Sequence, residues 1–154
     1  MDYTELLIEA DTNNLITKDK PLRANDGRIK GNRIAIRADL NTTKKKCVLA
    51  EELGHFYTST GDIMDQNTVE NRKQEQKARE WAFNKLIGLC GLLDAYKAGC
   101  QNIHEVAEHL DITEEFLSEA LTCYRRKYGE YVSVDNFVIY FEPTLGVLDL
   151  KRSV

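Results

Sequence analysis

The chain has 154 residues, with 25 acids against 21 bases for a net charge of −4 and 42% apolar residues, enough for a compact domain to bury a core without covalent staples. Acids and bases are interspersed, and no long segment carries the basic excess that phosphate-dominated binding needs, which argues against nucleic acid as a direct ligand. The longest apolar run, Leu86–Leu93, falls far short of the roughly 20 residues that cross a bilayer, so no membrane role is expected.

The N-terminal stretch MDYTELLIEA is acidic and lacks the basic-then-apolar pattern of a secretory leader. Cys47, Cys90, Cys100 and Cys123 are scattered and form no CxxC pair, so reduced thiols and a cytoplasmic location are expected. Leu6, Leu7 and Ala10 give Tyr3–Ala10 the pattern of a short amphipathic helix. Residues 12–32 carry Asn-Asn, Lys-Pro and Asp-Gly and read as loop, with Asp26-Gly27 placed to close a hairpin. Arg33–Ala38 alternates isoleucines with arginines, the period of a strand with one buried face.

Asn41, Thr42 and Thr43 offer N-cap oxygens to a helix running over Cys47–Tyr57, which Thr58–Asp62 should stop. A second long helix is expected from Glu70 to Leu93, striped by Ala78, Ala82, Leu86, Leu89 and Leu93. Two shorter helices follow, Ile103–Leu110 and, after a capping sequence at residues 111–115, Phe116–Tyr128. Asp135–Glu142 and Val147–Leu150, separated by Pro143–Gly146, close the chain as a β-ribbon.

On the first long helix, Leu49, Leu53 and Phe56 form the expected core stripe, while Glu51 and His55 share a direction on nearly the opposite side and Glu52 lies between them. Ligand-type residues at i and i+4, with a carboxylate one residue after the first, reproduce the layout of a zincin helix. The carboxylate that follows can deprotonate water beside the ion instead of binding the ion. Here the first position is Glu, so the pattern is EExxH, and taken alone it also describes a solvated helix face. Glu75 stands at the N-terminal end of the second helix's apolar stripe, where a buried charge needs a partner; the alternative is an acid near the helix start, favoured by the macrodipole and left in water. His104 and His109 lie on a polar helical segment and read as surface residues.

The run Cys47-Val48-Leu49-Ala50-Glu51-Glu52-Leu53-Gly54-His55-Phe56, followed by Glu75-x-x-Ala78-x-x-Trp81-Ala82-x-x-x-Leu86, resembles the ImmA/IrrE metallopeptidases of phages and mobile elements. The resemblance implies a minimal zincin-like unit over residues 1–95. It implies His55 and Glu75 as metal ligands, Glu52 as the catalytic glutamate, and Glu51 in the first ligand position, where the family's typical residue is His. Carboxylate oxygen is an acceptable zinc ligand, and two carboxylates leave room for a harder ion such as manganese. Tyr57 and Asp62 are candidates for supporting or oxyanion roles, each with a bland alternative as core aromatic or turn residue. By analogy with zincins, the Arg33–Ala38 strand offers an edge for a substrate backbone. The resemblance further implies a protein substrate, a phage or mobile-element repressor with a helix-turn-helix.

Residues 96–154 are expected to form a helical module plus ribbon packed on the peptidase unit, giving an α+β, mainly helical chain. Ile103–Leu110 and Phe116–Tyr128 have the lengths and tight junction of a helix-turn-helix. Arg125, Arg126 and Lys127 are outweighed there by six acids, with Glu114 and Glu115 where base contacts would fall, which argues against a DNA-binding regulator. A second alternative is a non-catalytic adaptor that binds the repressor through a degenerate metal site, since metal affinity depends on the departed first ligand.

Overall fold

The computed structural model describes residues 1–59 and 68–151. The fold is α+β, with helices predominating and two small sheets, and the chain divides into two compact units, Met1–Leu86 and Ile87–Val154.

The first unit opens with α1 (Tyr3–Thr12), whose N-terminus is closed by a reciprocal capping box between Asp2 and Glu5. Three strands follow, β1 (Ile16–Lys20), β2 (Gly27–Lys30) and β3 (Arg33–Arg37), in the spatial order β1-β3-β2. β1 runs parallel to β3, and β2 forms an antiparallel hairpin with it. The β2–β3 turn is Gly31-Asn32, with Gly31 at φ +60°, the positive value that the first central position of a type II′ turn requires. Asp26-Gly27 therefore enters a strand instead of closing the hairpin. The expected strand at Arg33–Ala38 is present but central, paired on both sides, so the sheet's free edges belong to β1 and β2. β1 falls in a stretch expected to be loop: its Lys-Asp-Lys end lacks the apolar alternation that marks a half-buried strand, and backbone pairing to β3 holds it.

α2 (Thr42–Thr58) is capped by the Asn41 side chain, which accepts from the Lys44 N–H. It packs on β2, β3, α1 and α3 (Thr68–Leu86). Because it is covered on so many sides, nearly every residue from Lys46 to Gly54 is buried, with Leu49 and Leu53 at the centre beside Ile34 and Ile36 of β3. Phe56, expected in that stripe, is 37% exposed. α3 buries the small residues Ala78 and Ala82, and Gly54 of α2 meets it where a side chain would have no room: a methyl there would overlap the Ala78 carbonyl. This backbone approach fixes the two helices against each other one residue from His55 and one turn from Glu75.

The expected second long helix ends at Leu86. Ile87 leaves helical geometry (φ −123°, ψ −79°), Gly88 takes φ +62°, and a new helix, α4 (Gly88–Lys97), begins there. An isolated glycine inside a helical pattern carried that signal. In the second unit, α5 (Ile103–Leu110) is joined to α6 (Glu114–Tyr128) by a turn with Asp111 in the left-handed region, and Thr113 caps α6. The terminal sheet is a three-stranded antiparallel meander, β4 (Tyr131–Val134), β5 (Phe137–Tyr140) and β6 (Gly146–Asp149), one strand more than expected. Leu93, Ala107, Leu117, Ala120 and Ile139 are buried in this unit, and Tyr124 is buried with its hydroxyl accepting from the Gly88 N–H at 3.1 Å.

Candidate metal centre

Helix α2 carries Glu51, Glu52 and His55, and the Gly54–Ala78 contact brings α3 close enough for Glu75 to reach His55. The His55 Nε2 and Glu75 Oε2 are 3.1 Å apart, and the second oxygen of Glu75 accepts from Arg79 Nε at 3.4 Å, one turn along α3. Each partner in the first pair shifts the other's titration. The hydrogen bond from His55 holds Glu75 below the usual carboxylate range, with Arg79 adding to the effect. The hydrogen bond to Glu75 raises His55, with Glu52 and Glu51 contributing through their charges.

Glu52 is 9% exposed. It lies under the start of β2, where a side chain on Gly27 would overlap Val48 Cγ1 and come within 3.0 Å of Glu52 Oε1 and 3.2 Å of its Cγ, so the absence of a side chain at Gly27 makes room for both α2 side chains. Burial pushes Glu52 up to about 7, the negative charges of Glu51 and Glu75 add to this, and His55 opposes it. A carboxylate at that value exchanges protons readily near neutral pH, as a general acid–base needs.

The structure thus brings His55 and Glu75 into direct contact and sets Glu52 against the β2 backbone. Glu51, half-buried one turn before His55, acts on Glu52 and His55 through its charge. Among the described residues, no group of three or more His, Cys, Asp or Glu side chains converges tightly enough to enclose an ion. The donor chemistry nevertheless suits a divalent cation: three carboxylates crowd one imidazole, and a positive ion would favour the ionised form of Glu52 against the burial, and the lesser repulsion, that lift it. In this arrangement His55 and Glu75 would hold the ion, with Glu51 as the third donor.

Tyr57 is engaged elsewhere. Its hydroxyl accepts from Asn13 Nδ2 at 2.8 Å and its ring lies 4.8 Å from Trp81, so it ties α1 to α2 and α3. Asp62 lies outside the described residues. His104 and His109 are exposed residues of the second unit, as expected, and His104 pairs with Glu114 at 3.1 Å and Glu108 at 3.7 Å. Arg79 was not expected at the site, although its i+4 spacing from Glu75 is a recognisable ion-pair signal. Nor was Gly27, whose lack of a side chain is explained only by the Val48 and Glu52 side chains packed against it.

The model of a peptidase family, Peptidase M78, described as the IrrE N-terminal-like domain, matches residues 8–122. That span contains the whole of the site and extends into α6. No curated protein matches the chain.

Proposed function

Since this chain belongs to the IrrE N-terminal-like peptidase family, whose chemistry is of metallopeptidase type, we propose that it is a metal-dependent endopeptidase with Glu52 as its general base. The observation that carries this reading is the buried Glu52 beside the His55–Glu75 pair, raised to about 7 among two other carboxylates. His55, Glu75 and Glu51 would hold the ion, with zinc the first choice and manganese the alternative that two carboxylate donors favour. Such an ion would supply Lewis acidity toward the scissile carbonyl and toward water.

The chain's own residues do the rest. Glu52 takes a proton from the attacking water and returns it to the departing amine, a relay for which a value close to neutrality is matched. Arg79 and His55 together fix the Glu75 carboxylate. β2 is an edge strand whose first residue adjoins Glu52. A substrate backbone adding along that edge would pass beside the general base. The resemblance to enzymes of phages and mobile elements supports a helix-turn-helix repressor as substrate and the cytoplasm as the place of action. No described helix is long and apolar enough to cross a membrane.

The second reading is a non-catalytic repressor-binding adaptor. Glu51 in place of the family's His, together with the absence of a tight three-residue donor group among the described residues, favours it. Incubating the metal-loaded protein with a co-encoded repressor separates the two readings. Cleavage by the native chain and none by Glu52→Gln supports the peptidase; binding without cleavage supports the adaptor.

A further inference from the structure

We propose that the outer face of the β1-β3-β2 sheet is a docking site for an acidic, aliphatic-containing segment of a protein partner, bound in extended form. Strand register places Lys18 and Lys20 of β1, Arg33 of β3, and Arg28 and Lys30 of β2 on one face: Lys18 and Arg28 both pair with Ala35, and Lys30 pairs with Arg33. All five are exposed, and none has an ion-pair partner among the described residues.

The neighbouring acids are already committed. Asp19 pairs with Lys45 of α2 at 2.9 Å, Asp26 with Arg37 and Lys44 at 3.7 and 3.8 Å, and Asp39 with Arg37 at 2.7 Å. A chain of net charge −4 therefore concentrates uncompensated positive charge on one sheet face.

That face is concave, with a cavity of about 390 Å³ whose lining adds Ile16, Leu22 and Ala35 to the five cations. Aliphatic side chains among cations suit a chain that alternates apolar and acidic residues. Same-face side chains recur every second residue, roughly 7 Å along a strand, the repeat of an extended peptide laid parallel to the strands. The lining contains no aromatic ring on which a base could stack, and its aliphatic side chains Ile16 and Leu22 offer nothing to a sugar–phosphate backbone. An acidic peptide is therefore favoured over nucleic acid.

The probe is a fluorescein-labelled peptide alternating glutamate with leucine, followed by fluorescence anisotropy on the full chain. Its glutamine counterpart, single-stranded and duplex DNA, and phosphatidylserine vesicles serve as competitors. The acidic peptide should bind, and binding should weaken as salt shortens the screening length from about 10 Å at 0.1 M to about 3 Å at 1 M. Lys18→Glu/Lys30→Glu should weaken it about tenfold or more. Lys18→Gln/Lys30→Gln, which adds no repulsion, should weaken it less and decides the matter if the reversed variant does not fold. Chelator should leave binding unchanged, which separates this face from the metal centre. Failure of the peptide to bind, equal binding by the glutamine peptide, full binding by the folded glutamine variant, or stronger competition by DNA or vesicles would each overturn the proposal.

Discussion

Replacing Glu52 by glutamine should make the protein more stable while removing its activity, and the size of the gain follows from the site. Glu52 moves from an ordinary value of 4.5 to about 7 on folding because it is buried among other carboxylates. Between those two values the folded state holds more protons than the unfolded state, so the contribution of this group to stability falls as pH rises and is gone above about 7. A shift from 4.5 to about 7, at 1.36 kcal/mol per pH unit, amounts to about 3 kcal/mol. Glutamine keeps the shape and does not ionise. In chelator-treated samples, the two proteins should be similar near pH 4, and the variant should be more stable by up to about 3 kcal/mol near pH 8. His55 acts in the same direction in both proteins, because its raised value gives stability that is lost as pH rises, so it largely cancels in the difference. Urea unfolding across this range measures the gap, and added zinc should narrow it by offsetting the negative charge. Parallel stability–pH curves for the two proteins would refute the buried-carboxylate account.

Gly54→Ala should force α2 from the Ala78 carbonyl and destabilise the fold by about 1–3 kcal/mol, read as a lower midpoint in thermal unfolding; an unchanged midpoint would remove the close-contact argument. Glu75→Ala should lower the His55 titration midpoint, because the hydrogen bond that raises it is gone. Following the imidazole resonances of chelator-treated protein against pH checks this, and an unmoved midpoint contradicts the pairing. Tyr57→Phe should weaken stability by about 1 kcal/mol or less through the lost Asn13 bond and leave cleavage intact, whereas a large fall in turnover at constant KM would return Tyr57 to the chemistry.

What was legible followed from rigid helical spacing and side-chain chemistry: i and i+4 on α2 fixed the relation of Glu51 to His55, and capping residues were read at Asn41 and in the segment that holds Thr113. Tertiary contacts were harder to read. The proximity of Glu75 to His55 depends on Gly54 meeting Ala78, which no local pattern encodes, and the polar face of α2 is covered because β2 crosses above Glu52. The helix break at Ile87-Gly88 was hidden by an apolar stripe that continues in phase through Leu86, Leu89 and Leu93. Summing charge along segments concealed the cationic sheet face: the strands' alternation sends their lysines and arginines outward, while Asp19 turns to Lys45.

The most direct test of the metal centre is elemental mass spectrometry of the native chain, purified without chelator or metal-binding tag, beside His55→Ala and Glu75→Ala. The site described here predicts close to one divalent ion per chain, lost in both variants. A chain that takes up no ion after zinc is added at neutral pH, or one whose metal content survives both substitutions, would contradict it.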